Sequence, residues 1–424
     1  SFELLPDVKF HDGTTLKASD VKYSYERLIK MAKMATLLEN VVGYDEMSAG
    51  TADELSGIEV QDDTHFTIQL KKPYAPFLSV LSTAYCAIYP QEACEAAGNN
   101  WGMTTLIGTG AFKLDSYQTG VGATLSRFDD YHGGAVALSG LDYKFIEDVN
   151  TQVLEYQKGN VDYVDVDPSI YPVYSSNPDL KDQMHGFQPT GCYSLNVNSK
   201  TYSDPKVREA IALSIDRKAI CESILHGTAT VPNSYIPAGI IGHDDSLPEF
   251  EYNPEKAKQL LAEAGYPDGF AIDMYAPNDT LSAGPATLVQ QFLTQIGLKV
   301  DLQTVDFGVW LDKAKAGEIP IYLFWDSCPV IPDNVLKQFT SESTINYIAY
   351  NDPEYDRIVA AAVEENDLAK KAELYNEAQK NIMDSGCLYT MTTYSIHQVV
   401  NPRVKDLKIT TGLMLTCREA YIEE

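Results

Sequence analysis

Basic residues are scarce in this sequence, because 32 Lys and Arg stand against 60 Asp and Glu, which gives a formal net charge of −28. Proteins bind nucleic acids and anionic lipid surfaces through clustered basic side chains that release counterions. The deficit therefore excludes both classes of partner. We interpret the acidic surface as a source of solubility outside the cell rather than as a site that selects cations.

Long apolar runs are also missing. No run approaches the roughly 18 apolar residues that a membrane span needs, and stretches such as 358–363 fit amphipathic helices. The chain opens on "SFELLPDVKF", without Met and without the charged and apolar regions of a signal peptide. We therefore expect a processed or trimmed chain.

Cysteines are few and scattered. None of the seven belongs to a C-x-x-C pair or has a His at zinc-like spacing, so we expect no metal site and no cofactor. Their odd number leaves at least one thiol unpaired within a monomer, so the count does not establish an oxidising compartment. The seven are Cys86, Cys94, Cys192, Cys221, Cys328, Cys387 and Cys417.

Catalytic signatures are absent from the sequence. It contains no G-x-S-x-G, no H-E-x-x-H and no Walker-type phosphate loop, and its seven histidines are isolated from one another. "GTGAFK" at 108–113 lacks the third glycine of a dinucleotide fingerprint and is read as a tight turn before a strand over 111–114. We therefore nominate no catalytic residue and expect no enzyme.

The chain does contain clear α/β signals. At 424 residues it exceeds one compact core, which predicts two or three lobes. Asn253 and Pro254 predict the start of a helix that Gly265 ends. An alternating strand from Phe270, a helix over 285–296 and a strand from Leu298 then predict a parallel βαβ unit. In "NTQVLEYQKGNVDYVDV" (150–166), a cap at position 150 or 151 starts a second helix before a strand over 161–166.

The charged stretch at 216–218 sits between two predicted helices. Asp204 caps the first helix, and Asp216 caps a second helix that ends at Gly227. We expect Arg217 and Lys218 to be solvated, and we interpret the cluster as a helix boundary rather than a functional site.

Aromatic residues are abundant, with 27 Tyr and 3 Trp, and both types supply rigid contact area at clefts as well as in cores. In "IYLFWDSCPVIPDN" (321–334), an apolar strand ending at Trp325 leads into Asp326 and a Pro-rich loop. This arrangement is typical of a strand that ends at a ligand-facing edge. The alternative is that Trp325 belongs to the core and Asp326 caps the loop.

Several collinear stretches resemble one family, the extracytoplasmic solute-binding proteins of ABC importers in the peptide, nickel and opine class, family 5. They cover nearly the whole chain. The stretches are "VKFHDGTTLKASDVKYSYERL" (8–28), "GTGAFKLDSYQTGVGATLSRFDDYHGG" (108–134), "NTQVLEYQKGNVDYV" (150–164), "DPKVREAIALSIDRKAI" (204–220), "YNPEKAKQLLAEAGYPDGF" (252–270) and "NPRVKDLKI" (401–409).

The resemblance implies an α/β, two-lobed periplasmic-binding-protein-like fold of type II, class C, with an extra subdomain. It places the extra α+β subdomain at 1–105, the first α/β lobe at 106–190, the second α/β lobe at 191–400 and a return to the first lobe at 401–424. Members of the family carry a longer segment before the "VKFHDG" stretch, so we expect the N-terminal part of the first lobe to be missing here.

The resemblance implies capture of a solute between the lobes, not catalysis. Peptide-binding relatives pair with the main chain of the peptide and bind its amine through an Asp in a W-x-x-D pattern. Here Trp325 matches, Cys328 stands at the Asp position, and Asp326 could reach the cleft in its place. Tyr193 and Tyr85 are further candidate ligand-binding residues. Some relatives also carry a disulfide that would correspond to Cys192 with Cys328.

The resemblance leads us to expect an extracytoplasmic monomer, periplasmic or anchored at the cell surface by a lipid outside this chain. It would deliver a peptide or another amine-bearing solute to an ABC permease. The same scaffold could instead bind an oligosaccharide or a nickel or other metal chelate. A hydrolase on a two-lobed scaffold is the less favoured alternative, because no nucleophile, base and orienting group can be nominated together.

Overall fold

The computed structural model describes residues 1–32, 34–74, 76–187, 191–327, 332–409 and 415–423. The chain divides into two compact units. Unit 1 comprises Ser1–Asn160 and the described residues from Pro402 onward, and unit 2 comprises Val161–Asn401. The predicted four-segment division, at 1–105, 106–190, 191–400 and 401–424, stays a prediction. Among the described residues, every helix is too short or too polar to span a bilayer.

The strands form several small sheets and one large sheet. They are β1 (Phe2–Glu3), β2 (Ile58–Val60), β3 (His65–Ile68), β4 (Phe112–Gln118), β5 (Gly122–Arg127), β6 (Gly140–Lys144), β7 (Tyr163–Val166), β8 (Met184–Phe187), β9 (Gly191–Val197), β10 (Ala229–Thr230), β11 (Ala271–Pro277), β12 (Lys299–Val305), β13 (Ile321–Ser327), β14 (Leu388–Tyr394), β15 (Ile396–Val400), β16 (Val404–Lys405), β17 (Lys408–Ile409), β18 (Leu415–Thr416) and β19 (Tyr421–Ile422).

The helices are concentrated in unit 2. They are α1 (Ala18–Lys30), α2 (Tyr44–Ser48), α3 (Phe77–Leu81), α4 (Gln91–Ala97), α5 (Val149–Gln157), α6 (Tyr171–Ser175), α7 (Pro178–Lys181), α8 (Pro205–Leu213), α9 (Arg217–Ser223), α10 (Pro254–Glu263), α11 (Thr280–Gln295), α12 (Phe307–Lys315), α13 (Asp333–Lys337), α14 (Pro353–Glu364) and α15 (Leu368–Asp384). Short 3-10 turns lie at Ala35–Leu38, Ala84–Cys86 and Gly98–Asn100.

Unit 1 contains two three-stranded antiparallel sheets, in the orders β1-β3-β2 and β4-β5-β6. His11 of the "VKFHDG" stretch joins the first part of this unit to the "GTG" turn. Its Nε2 donates to the carbonyl oxygen of Gly110 at 2.9 Å, and its Nδ1 accepts from the amide of Gly108 at 3.3 Å. The imidazole therefore serves as a structural clamp, and the "GTGAFK" turn does feed a strand, β4.

Unit 2 is built on a six-stranded mixed sheet in the order β10-β14-β9-β13-β11-β12. A separate three-stranded sheet has the order β7-β15-β8. In the large sheet β11 and β12 run parallel and are joined by α11, which confirms the predicted βαβ unit. The helix begins earlier than predicted and contains Pro285. β9 lies between β14 and β13, and all seven of its residues are buried.

Helix starts follow the predicted capping chemistry in most places. The Asn253 side chain accepts from the Lys256 amide at 3.0 Å, and Gly265 takes a left-handed φ of 91° just after α10. Asp204 and Asp216 cap α8 and α9 as predicted. The predicted cap of α5 at position 150 or 151 is wrong, because Asp148 accepts from the Thr151 amide at 2.7 Å.

The expectation that Arg217 is solvated is also wrong. Only 6% of Arg217 is exposed, and its guanidinium donates to the carbonyl oxygens of Thr390 at 3.0 Å, Phe250 at 3.1 Å and Pro232 at 3.2 Å. Burial lowers the pKa of this guanidinium. Lys218 is solvated, as expected. Arg217 therefore ties three separate segments of unit 2 together.

Candidate functional site

The candidate site lies at the carboxyl end of β13. This strand runs parallel to β11 and antiparallel to β9, which runs antiparallel to β14. The carboxyl ends of β11, β13 and β14 therefore meet the start of β9 at one edge of the sheet. Ligands of open α/β sheets bind at the carboxyl ends of parallel strands, so this edge is the natural place for a binding site.

Trp325 and Tyr193 form an aromatic pair at this edge. They are register partners on β13 and β9, with ring centroids 5.3 Å apart and planes inclined by 52°. Tyr193 is buried, and its hydroxyl lies 3.4 Å from the Ser282 hydroxyl in the first turn of α11. Trp325 packs against the core on this face of the sheet and is only partly buried. The pair offers an aromatic surface at the strand ends.

Gly191 makes room for the Trp325 ring. A Cβ at this position would lie 2.3 Å from Cζ2 of Trp325, closer than two non-bonded carbon atoms can approach. A larger residue at 191 would therefore displace the indole. The requirement explains why a glycine stands at position 191, directly beside the tryptophan.

Asp326 lies on the opposite face of the sheet from Trp325. Its Oδ2 accepts from the Ser194 hydroxyl and its Oδ1 accepts from Nε2 of Gln338, each at 3.3 Å. Tyr235 supplies a third side-chain hydrogen bond. Within the described part of the chain, no Lys, Arg or His forms an ion pair with Asp326. Its partners are thus uncharged donors.

The electrostatics of Asp326 follow from this setting. Burial raises the pKa of its carboxyl above the ordinary value for aspartate. The hydrogen bonds from Tyr235, Gln338 and Ser194 oppose that shift, because they favour the ionised form. The result is a partly desolvated carboxyl group whose described partners are all uncharged.

The remaining predicted site residues lie elsewhere or outside the described residues. Cys192 is buried as the register partner of Asp326, whereas Cys328 lies outside the described residues, so both its ligand role and the disulfide stay predictions. Tyr85 belongs to unit 1, where it is 57% exposed, and its ligand role also stays a prediction.

Sequence reasoning missed four residues that shape the site: Gly191, Ser194, Tyr235 and Gln338. Ser194 could have been found, because it lies two positions after Cys192 on an extended strand and so shares a face with it. Tyr235 and Gln338 come from a loop and a helix end far from β9 in sequence, and no local pattern marks them.

Across the described ranges, no three His, Cys, Asp or Glu side chains are placed to hold a metal ion.

Comparison with known proteins links this architecture to transport. The model of the family described as bacterial extracellular solute-binding proteins, family 5 Middle, matches residues 1–347. The heme-binding protein A of Haemophilus influenzae is 27% identical, covering 96% of this chain and 78% of that protein. The dipeptide-binding protein of Escherichia coli K12 is also 27% identical, covering 96% of this chain and 80% of its own.

Solved structures give the same result for the fold. The structure of Burkholderia pseudomallei OppA matches with a TM-score of 0.85 at 21% identity, covering 100% of this chain and 87% of that chain. Such structural neighbours are two-lobed periplasmic binding proteins. They confirm the predicted α/β fold class.

Proposed function

The chain belongs to the bacterial extracellular solute-binding proteins of family 5, and from that premise we propose that it captures a peptide or peptide-like amine-bearing solute for an ABC permease. The family consists of solute-binding proteins rather than enzymes, and its members are periplasmic. In this proposal the protein acts outside the cytoplasm as a monomer held to the membrane by a lipid anchor, and it releases its solute chemically unchanged.

One observation carries the choice of an amine-bearing solute. The Asp326 carboxyl is desolvated and hydrogen-bonded, but its described partners are all neutral. An anion removed from water is stabilised most by a cation at hydrogen-bond distance. The ammonium group of a peptide would provide that cation, with its first residues close to the ends of β13 and β9.

The aromatic pair supports the second part of the proposal. Trp325 and Tyr193 provide apolar and stacking area that does not depend on one particular side chain of the solute. In the proposed mode an extended main chain pairs with backbone groups of the protein, the usual way in which peptides are bound without side-chain selectivity. Relatives whose names specify a dipeptide fit this mode.

The test compares ligands that differ only in the amine. Alanyl-phenylalanine and its N-acetyl form would be titrated calorimetrically against the protein and against Asp326→Asn. We expect the free amine to bind more tightly, and Asp326→Asn to lose about 2 kcal/mol or more for this ligand only, roughly 30-fold in Kd. Ligand in large excess should also raise the melting temperature, since binding to the folded state adds about 2.7 kcal/mol at 100 times Kd.

Competing solutes are part of the same experiment. Cello-oligosaccharides and nickel chelates would be titrated in parallel, because the same scaffold could bind either class. Stabilisation by one of these alone, with no response to peptides, would contradict the proposal. Mass spectrometry of the bound peptide after long incubation checks for cleavage, and cleaved peptide would contradict the absence of catalysis.

A further inference from the structure

Tyr235 and Gln338 together hold the Asp326 carboxyl through hydrogen bonds. Nε2 of Gln338 lies 3.3 Å from Asp326 Oδ1, 3.3 Å from the Tyr235 hydroxyl oxygen and 2.9 Å from the Val335 carbonyl oxygen, so its two hydrogens are shared among three acceptors. An ionised carboxylate can only accept, so the Tyr235 hydroxyl donates its hydrogen to Asp326. Tyr235 is 1% exposed and cannot turn to water instead.

A second chain of donors orients the other oxygen. Asn196 Nδ2 donates to the Ser194 hydroxyl oxygen at 2.9 Å, and that hydroxyl donates to Asp326 Oδ2 at 3.3 Å. Both carboxylate oxygens are thus fixed in direction. Every donor in these two sets of hydrogen bonds is uncharged at neutral pH.

The helix that directly precedes Gln338, α13, is held by contacts with two other helices. Asp333 starts α13 and forms a buried ion pair with Lys371 at 3.2 Å, with side-chain exposures of 3% and 2%. The Tyr355 hydroxyl donates to the Leu336 carbonyl of the same helix at 2.7 Å. Gln338, the residue that follows α13, therefore presents its amide from a fixed position.

We propose that Tyr235 and Gln338 are specificity-determining positioning residues, which orient the Asp326 carboxylate through neutral donors so that its charge remains available to the ammonium of the solute. This inference rests on the proposed function. A basic residue at either position would orient the carboxylate equally well but would neutralise it. The neutral character of the pair is therefore the feature that selects an amine.

Two substitutions test this from opposite directions. Tyr235→Phe removes only the hydroxyl that donates to Asp326, and it should reduce the ratio of affinities for alanyl-phenylalanine over its N-acetyl form by about fivefold to tenfold. Gln338→Lys places an ammonium beside Asp326 within the protein. It should bring the same ratio close to one, because the carboxylate is already paired. Gln338 is partly exposed, so the lysine can be accommodated.

Tyr355→Phe is the matched control. It removes an equally buried hydroxyl that bonds to α13 but not to Asp326, so it should lower the melting temperature and leave the affinity ratio unchanged. Folding of each variant is checked by its melting transition. If Tyr235→Phe and Gln338→Lys both keep the ratio of the parent protein, the positioning role is overturned while the proposed function stands. If the parent itself does not distinguish the two ligands, the proposed amine contact fails and the inference falls with it.

Discussion

Trp325 and Asp326 are neighbours in sequence, yet their side chains lie on opposite faces of the same strand. Trp325 packs with Tyr193 on one face, and Asp326 meets Ser194 and Gln338 on the other. Side-chain alternation along an extended strand requires this arrangement. The aromatic and the charged parts of the site can therefore be altered one at a time.

Substitution of Gly191 tests the aromatic part. In Gly191→Ala the new Cβ would lie 2.3 Å from the Trp325 ring and 2.6 Å from the Asp326 carbonyl oxygen, so the indole and the backbone at the end of β13 must shift, at a cost of about 1 to 3 kcal/mol in the free energy of unfolding. We expect alanyl-phenylalanine and its N-acetyl form to lose affinity by the same factor, roughly tenfold. Calorimetric titration measures both. Gly110→Ala, where a Cβ meets no atom within 4 Å, is the control, and an unchanged affinity in Gly191→Ala would contradict the role of Trp325.

Acidification tests the charged part. Because burial raises the pKa of Asp326, the carboxyl becomes protonated at a higher pH than an ordinary aspartate. An ammonium binds the ionised form, so the affinity for alanyl-phenylalanine should fall as the pH drops through this raised pKa. The affinity for the N-acetyl form should stay constant, and Asp326→Asn should show no such pH dependence.

The same shift has a consequence for the ligand-free protein. The folded state holds the Asp326 proton more tightly than the unfolded state, so this residue's contribution to the free energy of unfolding decreases as the pH rises through the raised pKa. Urea denaturation of the parent protein and of Asp326→Asn across that window isolates the contribution. If the free energy of unfolding of the parent protein increases relative to that of Asp326→Asn as the pH rises, the burial of the carboxyl is contradicted. Tyr322, which also faces Asp326, titrates far above this window, because burial raises its pKa.

The ion pair between Asp333 and Lys371 gives a stability prediction. Lys371→Met leaves an unpaired carboxyl in the interior and should lower the free energy of unfolding by about 3 to 5 kcal/mol. The double variant Lys371→Met with Asp333→Leu removes both charges and should recover most of that loss. Urea denaturation measures the three proteins. A double variant less stable than the single one would show that the pair itself is strongly stabilising.

Arg217 and Lys218 form a matched pair for a further prediction. Arg217→Met removes the donors to three carbonyl oxygens and should lower the free energy of unfolding by about 3 kcal/mol. Lys218, with 75% of its side chain exposed, should change it by less than about 0.5 kcal/mol when replaced by Met. Equal effects in thermal or urea unfolding would mean that the buried guanidinium contributes little.

The predicted elements that the structure confirms depend on neighbours in sequence. Asn253, Pro254 and Gly265 determine the ends of α10 through hydrogen bonds and backbone preferences within a few residues. The parallel pairing of β11 with β12 follows from the spacing of strand, helix and strand. These features carry their information locally, so the sequence suffices to find them.

Features that the sequence did not reveal depend on distant partners. Arg217 and Lys218 are adjacent cations in one short helix. Their environments differ because the Arg217 guanidinium donates to the carbonyl oxygens of Thr390, Phe250 and Pro232, which are distant in the chain. The position of Asp326 at a strand end was predictable, because the apolar run ends there. Its donor Tyr235 was not, because it comes from a loop far from β13 in the chain and no local pattern marks it.

The placement of β9 determines how the site behaves before any solute arrives. Since this strand is hydrogen-bonded on both sides and all seven of its residues are buried, its amides can exchange with solvent only when the sheet itself opens. We therefore expect the amides of β9 to exchange slowly and the strand to hold Tyr193 in place at this edge of the sheet. Because the candidate site is built on this buried central strand, we expect little of the binding free energy to be lost in ordering the protein.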